Sequence, residues 1–165
     1  MEIPSAGDYK KVMYDNFVMV DQDERRALIL QQIKDLAAQN GGEAEINEDL
    51  LEEVNYLVEW PTALCGKFEE KFLSLPKECI ITPMREHQRY FPVLDEDGNL
   101  LNKFITVRNG GSEHLDIVTH GNERVLRARL SDAEFFFNED RATKLEDRLE
   151  KLKTVSFQEG LGNMY

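Results

Sequence analysis

RYFPVLDEDGNLLNKFITVR, at residues 89–108, contains two runs rich in aromatic and β-branched side chains on either side of an Asp-Gly pair. Such runs are typical of strands, and Asp-Gly between them favours the tight turn of an antiparallel hairpin. We therefore predict strands over residues 89–94 and 100–108, joined by a turn at residues 95–99. This hairpin is the element from which the rest of the fold is predicted.

On the C-terminal side of the hairpin the pattern changes from strand to helix. Residues 109–112 (Asn-Gly-Gly-Ser) predict a loop, and helices are predicted from there to about residue 153, interrupted near residues 138–143. The phenylalanines at 135–137 point in three directions around a helix, so we expect neighbouring structure to enclose them. The tail, residues 157–165, is predicted to be irregular, and we expect the natural chain to continue beyond it.

Between the hairpin and the N-terminal helices the sequence predicts short elements. Pro61 disfavours a helical residue before it and starts a new segment. Apolar side chains at four-residue steps then predict a helix over residues 62–74. These side chains are Leu64, Phe68 and Phe72. Residues 78–82 predict a strand, and Thr82 is predicted to cap a short helix that has Pro83 at its first position.

The N-terminal part is predicted to contain one strand and two helices. Residues 1–13 show no clear period, and residues 16–20 predict a short buried strand. Asp21 and Asn47 are predicted helix N-caps, because short polar side chains accept hydrogen bonds from the first backbone amides. The predicted apolar stripes are Ile29, Ile33, Leu36 and Ala37 in the first helix, which Asn40-Gly41-Gly42 ends, and Leu50, Val54 and Leu57 in the second.

This order of elements indicates an α+β fold with a small, largely antiparallel sheet and packed helices, followed by a helical C-terminal part. We divide the sequence into three regions. Residues 1–58 form an N-terminal strand and helices that pack on the module, residues 59–120 form the α+β module with the hairpin, and residues 121–165 form C-terminal helices and the start of a next region.

Composition excludes several classes of protein. The net charge of −12 argues against a general nucleic-acid coat, DNA-binding coats included. No apolar run approaches the ~20 residues of a membrane span, so no membrane partner is expected. The two cysteines, Cys65 and Cys79, match no zinc spacing and are expected to be reduced thiols in a cytoplasmic protein.

Charge is distributed unevenly along the chain. Residues 43–59 contain seven acids and no lysine or arginine, whereas residues 85–129 contain seven lysines and arginines, seven acids and all three histidines. The basic groups in the middle leave room for a local RNA contact. The acidic stretch is interpreted as a solvated face, with a docking face as the alternative.

Arg85, His87 and Arg89 form the first candidate site. On a helical turn the two arginines would lie four residues apart on one face, where like charges repel unless an anion lies between them. A phosphate would serve, and so would Glu86 or a distant carboxylate. The sequence therefore leaves two interpretations open, an RNA contact and an ion-paired surface turn.

A second group of candidates follows the hairpin. Arg108 leads into the Gly-Gly loop, whose amides could hold an anion or could form an ordinary turn. On the predicted helix after it, Asn122, Arg124 and Arg127 could grip a phosphate backbone, or could be ion-paired structural residues. Arg129 points away from Arg127 and is predicted to pair with Asp132 or another acid.

Signatures of catalysis are largely missing from the sequence. It contains no Gly-x-Ser-x-Gly, no His-Glu-x-x-His and no Gly-rich dinucleotide fingerprint. His114 and Asp116 lie two residues apart, which is weak support for a metal site, and Cys65 has no histidine near it in the sequence. We therefore expect no catalytic residue and no metal site.

Three ordered blocks resemble a known family. EWPTALCGKFEEKFLSLPKECIITPMREHQRYFPVLDEDGNLLNKFITVRNG at residues 59–110, HGNERVLRARLSDAEFFFNED at 120–140 and LEDRLEKLKTVSFQEGLGNMY at 145–165 are similar to the beta subunit of the bacterial heterotetrameric glycyl-tRNA synthetase. The resemblance is close from residue 59 onward and looser before it. It rests on long blocks in the same order rather than on one short motif.

The resemblance implies a part of a glycine–tRNA ligase, acting with an alpha subunit on glycine tRNA in the cytoplasm. In this family the catalytic core that uses glycine and ATP with Mg belongs to the alpha subunit, so this segment is expected to bind no cofactor and to be non-catalytic alone. The region is also similar to the B3/B4-type module of the phenylalanyl enzyme's beta subunit. A pocket for glycine excludes larger side chains sterically, so an editing role is not expected.

Three hypotheses for the segment follow. It could be a tRNA-contacting module, in which case Arg124 and Arg127 should face solvent beside Arg85 or Arg89. It could instead be a non-catalytic docking scaffold for the alpha subunit or the rest of beta, with those arginines paired to acids and an apolar patch exposed. The third hypothesis is a hydrolytic editing domain, which needs a pocket with converging polar groups.

Overall fold

A computed structural model describes residues 2–165. Five α-helices and six strands form the framework. The helices are α1 (Tyr9–Asp15), α2 (Gln22–Gln39), α3 (Glu48–Leu57), α4 (Lys77–Thr82) and α5 (Leu115–Ala142). The strands are β1 (Glu43–Ala44), β2 (Pro61–Lys67), β3 (Phe91–Leu94), β4 (Leu100–Asn109), β5 (Ser156–Gln158) and β6 (Gly162–Asn163). Short 3-10 helices lie at Ala6–Asp8, Glu70–Ser74 and Leu145–Thr154, and a π-helical turn lies at Pro83–His87.

The α+β prediction is confirmed, with an antiparallel four-stranded sheet in the order β1-β3-β4-β2. The predicted hairpin is β3 and β4. At its turn, Asp95 Oδ1 accepts hydrogen bonds from the backbone amides of Asp97 and Asn99, and Gly98 takes the left-handed conformation that favours glycine, with φ of 79°. The turn chemistry inferred from Asp-Gly is therefore realised in the structure.

Two layers of helices cover the two faces of the sheet. Ile105 packs in a cluster with residues of α2 and α3, including Ile29 and Leu51. Its neighbour Phe104 packs in a second cluster with residues of α5, including Leu126. Because adjacent side chains of a strand point to opposite faces, β4 supplies the centre of both clusters.

The helix predicted over residues 62–74 is wrong, because residues 61–67 form β2. This strand pairs with β4 along its whole length, from Pro61 opposite Asn109 to Lys67 opposite Lys103. Leu64, as predicted, is buried, but the four-residue spacing that suggested a helix continues into a 3-10 turn. Sheet pairing with a distant strand overrides that local spacing.

The strand predicted over residues 78–82 is also wrong. Residues 77–82 form α4, which runs directly into the π-helical turn Pro83–His87. Ile80 and Met84, four residues apart, are both buried, which is the helical arrangement. Thr82 has helical dihedral angles and makes no side-chain capping bond, so Pro83 lies within a continuous helical run and does not open a new helix.

The strand predicted over residues 16–20 is replaced by the end of α1. Phe17 has φ of 61°, and the amides of Phe17 and Val18 bond back to the carbonyls of Tyr14 and Met13. This is the Schellman arrangement, which closes a helix with a left-handed residue. The apolar run is therefore a helix stop, and the region before it, predicted to lack a period, is helical.

The predicted caps and stripes of α2 and α3 are confirmed with one exception. Asp21 accepts hydrogen bonds from the amides of Asp23 and Glu24. The bond from Glu24, followed by the hydrogen bond from Lys10, holds the pKa of Asp21 below its ordinary value. Asn47 caps α3. The exception is Leu57, which is 60% exposed, while Leu51 is fully buried in its place.

Helix α5 extends without interruption to Ala142, so the predicted break near residues 138–143 reduces to Thr143, where the backbone becomes extended. A 3-10 helix then replaces the predicted α-helix up to residue 154, and the tail predicted to be irregular forms the β5–β6 hairpin.

Within residues 2–165 no helix has the length and apolar character of a membrane span. The division into regions 1–58, 59–120 and 121–165 stays a prediction.

A buried arginine joins the N-terminal helices. Arg25 is 8% exposed. Its Nε donates to the backbone and side-chain oxygens of Asn55 at 2.9 and 3.2 Å, and its Nη1 donates to the carbonyl of Met19 at 2.5 Å. The Asn55 carbonyl lies in the last turn of α3, where helix carbonyls lack an internal partner and the helix dipole favours a cation. Arg25 therefore closes α3 and fixes the segment before α2.

Replacing Arg25 by alanine is expected to lower the free energy of unfolding by about 2–4 kcal/mol, because buried carbonyls lose a charged donor. The matched control is Arg26→Ala, which removes an exposed ion pair with Glu48 and should cost less than about 1 kcal/mol. Urea unfolding of both variants measures the difference. Equal losses would contradict the role assigned to Arg25.

Candidate nucleic-acid interface

Three of the seven residues predicted to contact RNA line two separate clefts, and the other four lie outside both clefts. Arg85 and Arg89 line a cleft of about 300 Å³ against the start of α3. Arg127 lines a separate cleft of about 280 Å³ beside β2, and the two clefts share no lining residue. The remaining candidates are His87 at the end of the π-helical turn, Arg108 on β4, and Asn122 and Arg124 on α5.

Carboxylates of the acidic stretch hold both arginines of the first cleft. Nη2 of Arg85 lies 2.7 Å from Oε2 of Glu45, in an orientation that gives an ion pair without a directed hydrogen bond. Nε of Arg89 donates to Glu53 at 2.8 Å. The anion between these like charges is therefore supplied by the chain itself, which is the ion-paired alternative left open by the sequence.

Arg89 also ends a helix in a strained conformation. Its φ is 57°, and the amides of Arg89 and Tyr90 bond to the carbonyls of Arg85 and Met84 at 3.3 and 2.9 Å. This is an αL closure, in which the amide of the left-handed residue bonds four residues back, with an arginine at the position that glycine usually fills. The backbone thereby turns from the helical run into β3 and directs the Arg89 side chain toward α3.

Two substitutions separate the backbone and side-chain roles of Arg89. Arg89→Ala and Arg89→Gly both remove the ion pair with Glu53, but only glycine adopts the left-handed conformation without strain. The glycine variant is expected to be more stable than the alanine variant by about 1 kcal/mol. Chemical denaturation tests this, and an alanine variant of equal or greater stability would refute the strained closure.

The second cleft is neutralised in the same manner. Arg127 forms an ion pair with Glu69 through its Nε. Glu123, one turn earlier on α5, accepts a hydrogen bond from the backbone amide of Lys67 at 3.0 Å. Carboxylates thus contact both the arginine and the adjoining strand, and the cleft does not present a free cation from Arg127.

The Gly-Gly loop bonds to its own chain. The amide of Gly110 donates to the carbonyl of Trp60 at 2.8 Å, and the carbonyl of Gly110 accepts from Thr62 Oγ1 at 2.6 Å. Arg108 donates to the carbonyl of Glu113 at 2.8 Å. The ordinary-turn interpretation of this loop therefore fits the structure better than an anion site.

Asn122 connects α5 to the sheet through Tyr90. The Tyr90 hydroxyl donates to Asn122 Oδ1 at 2.7 Å, and Asn122 Nδ2 donates to the carbonyl of Val118 at 2.7 Å. The Tyr90 ring stacks on Phe104, with centroids 4.5 Å apart. Burial raises the pKa of Tyr90 to about 12, so its phenol stays protonated and keeps this bond at neutral pH.

Tyr90 makes stability depend on pH in the alkaline range. Because its pKa rises from 10.0 to about 12 on folding, its contribution is complete below pH ~10 and is lost as pH rises toward ~12. Tyr90→Phe should remove this part of the pH dependence. Urea unfolding between pH 8 and 11, with Tyr56→Phe as an exposed control, measures it; identical alkaline slopes in wild type and Tyr90→Phe would contradict it.

Some basic side chains of the central region are exposed and have no ion-pair partner among residues 2–165. Arg124, Arg129 and His87 face solvent and form no ion pair with any residue from 2 to 165. The predicted pair of Arg129 with Asp132 or another acid is therefore wrong for this structure. At three residues apart the two side chains could meet, but each points into solvent, where an exposed pair gains little.

The expectation that neighbouring structure encloses residues 135–137 is also wrong. Phe135 and Phe136 are 60% and 62% exposed, and only Phe137 packs against the core. One face of a helix can reach the sheet, and Phe137 lies on the same face as Leu126 and Leu130. The other two rings form an apolar surface at the end of α5.

The potential metal ligands and the two thiols are the groups to which the sequence expectations about chemistry apply. In residues 2–165 no three histidines, cysteines or acids converge as a metal site. Cys65 and Cys79 are free thiols, and burial raises the pKa of Cys65, which disfavours the reactive thiolate.

Sequence reasoning missed the partners of the arginines. Glu45, Glu53 and Glu69 lie 36 to 58 residues from the arginines that they hold, and such distances carry no spacing signal. The one hint in the sequence is the surplus of acids in residues 43–59, a stretch that the sequence alone predicts to be a solvated face.

The fold and these residues define an α+β module in which Arg85, Arg89 and Arg127, three of the candidate cationic side chains, are paired with carboxylates of the same chain. Comparison with known proteins gives the family. The family model described as glycyl-tRNA synthetase beta subunit matches residues 1–165, including the N-terminal part in which the sequence resemblance was looser. The chain belongs to the glycyl-tRNA synthetase beta subunit family.

Similar curated proteins carry the same name. The glycine–tRNA ligase beta subunit of Moorella thermoacetica is 53% identical over 163 residues, covering 99% of this chain and 24% of the relative. Those of Desulforamulus reducens and Clostridioides difficile are 51% and 53% identical over 99% and 100% of the chain. The chain spans about a quarter of the length of these relatives.

Proposed function

We propose that this chain supports the ATP-dependent attachment of glycine to its tRNA as a non-catalytic assembly module of a glycine–tRNA ligase beta subunit. Its family membership supports the reaction. The observation that carries the assembly role is the pairing of Arg85, Arg89 and Arg127 with carboxylates of the same chain. Without these carboxylates, the three arginines would be available to bind the phosphate groups of an RNA backbone.

The partners of this proposal come from the same family. An alpha subunit would supply the site for glycine and for ATP with Mg, in the cytoplasm, and this chain would bind no cofactor of its own. Glycine tRNA would be the substrate of the complex. The exposed apolar residues Ile117 and Val125 of α5 support a docking role, since exposed apolar patches mark interaction surfaces.

Replacing the carboxylates that pair with Arg85 and Arg89 distinguishes the assembly role from a role in tRNA binding. Wild-type chain is expected to bind glycine tRNA weakly even at low salt, because its arginines are neutralised within a body of charge −12. The double variant Glu45→Gln/Glu53→Gln should bind about tenfold more tightly at low salt, since two phosphate contacts become available. The control Glu78→Gln/Glu96→Gln changes net charge equally at exposed positions that form no ion pair in residues 2–165.

Filter binding or fluorescence anisotropy at two salt concentrations measures these affinities. Tight, strongly salt-dependent binding by the wild type would overturn the proposal. If both double variants gained the same affinity for tRNA, the cause would be the change in net charge and not the loss of the ion pairs of Arg85 and Arg89.

Direct tRNA contact is the second candidate, because Arg124 and Arg129 are exposed without an ion pair in the described part of the chain. If it holds, wild-type chain binds tRNA, and Arg124→Ala weakens binding for any RNA sequence and lowers the salt slope by about one. Arg26→Ala, an arginine at the other side of the sheet, serves as the charge-matched control. No effect of Arg124→Ala would remove this candidate.

A further inference from the structure

The last part of the chain is folded without a core of its own. None of residues 131–165 is buried, although this segment contains many large apolar side chains. Those that are exposed by 36% or more are Phe135, Phe136, Leu145, Leu149, Leu152, Val155, Phe157, Leu161, Met164 and Tyr165. Apolar side chains in this number are normally placed against a partner.

Leu145, Leu149 and Leu152 line an apolar groove of about 680 Å³ on the 3-10 helix. Arg148 ties this helix to the end of α5, because its Nη2 donates to the carbonyl of Glu139 at 3.0 Å and lies 3.2 Å from Asp140. The leucines and the exposed phenylalanines of α5 therefore belong to adjacent elements. We call Phe135, Phe136, Leu145, Leu149 and Leu152 the C-terminal apolar surface.

Interactions within the segment do not explain why the 3-10 helix Leu145–Thr154 is ordered. The 3-10 helix Leu145–Thr154 is ten residues long and buries no side chain, whereas 3-10 runs beyond three or four residues are uncommon. Ordering each residue costs about 1–2 kcal/mol of backbone entropy. Without burial, little offsets that cost, so the segment needs a covering partner to hold its conformation.

The relatives indicate which partner covers it. The chain aligns with the N-terminal quarter of the glycine–tRNA ligase beta subunits that it matches, so about three quarters of each relative lies outside the aligned segment. Polypeptide joined to the same chain reaches a neighbouring surface at an effective concentration that a separate molecule does not match.

We propose that the C-terminal apolar surface is an internal interface, covered by the following part of a full-length beta subunit. The occupant is an apolar face of that later polypeptide. Apolar side chains of that later polypeptide bind in the groove lined by Leu145, Leu149 and Leu152. Phe135 and Phe136 contact the same polypeptide beside the groove. This inference rests on the family and on the exposed surface, and it stands whether or not the module also docks an alpha subunit.

The test compares the 165-residue chain with a full-length chimera, in which this chain replaces the aligned segment of the Moorella thermoacetica subunit. Hydrogen exchange of the amides in residues 145–155 is expected to slow at least about tenfold in the chimera. Leu149→Lys and Phe136→Lys should leave the unfolding midpoint of the short chain unchanged, because both side chains are already exposed, and should lower that of the chimera. The control, Asp147→Lys, places the same side chain on the same helix and should affect neither.

Unchanged exchange in the chimera would overturn the proposal. Dimerisation of the short chain that Leu149→Lys abolishes would assign the surface to a second copy, and protection only after addition of alpha subunit would assign it to that partner; both results refute an internal interface. The native Moorella subunit and its own N-terminal quarter give the same comparison without a junction. Binding of alpha subunit to the Leu149→Lys chimera, measured separately, distinguishes loss of this interface from failure of the assembly role.

Discussion

The pairing of β4 with both β2 and β3 is the constraint on which the rest of the structure depends. Phe104 and Ile105 are consecutive, fully buried and on opposite faces of this central strand. Each contributes about 1.5–3 kcal/mol by burial, and each is the point at which one helical layer meets the sheet. Loss of the register of β4 by one residue would exchange the two faces and disrupt both layers.

The packing of the helices on the sheet also determines which charged side chains pair with each other. The sheet brings α3 alongside the helical run that ends at Arg89, so Glu53 and Glu45 reach Arg89 and Arg85. The acidic stretch is therefore partly used within the fold, where the sequence suggested a solvated face. An approaching polyanion would meet paired arginines on a body of charge −12, and it would have to compete with tethered carboxylates for each contact.

Local chemistry determined which elements could be predicted. The hairpin and the caps at Asp21 and Asn47 depend on residues close in sequence, and their prediction is confirmed. β2 was predicted wrongly because four-residue spacing is a short-range signal that pairing with β4 overrides. α4 was predicted wrongly because β-branched content is equally short-range, and packing of Ile80 in the core cluster that includes residues of α5 favours the helix. The ion pairs of the candidate site depend on that same distant pairing, so sequence could name Arg85 and Arg89 but not their partners.

The phenylalanines of α5 show why an expectation can fail while its physical reasoning holds. Three consecutive side chains span about 200° of a helix at 100° per residue, so a single sheet can bury only one of them. Phe137 meets the core beside Leu130, and Phe135 and Phe136 face outward. The premise that such a helix needs neighbours on more than one side remains sound. What the structure adds is that residues 2–165 supply only one of those sides, which fits a segment that spans about a quarter of its relatives.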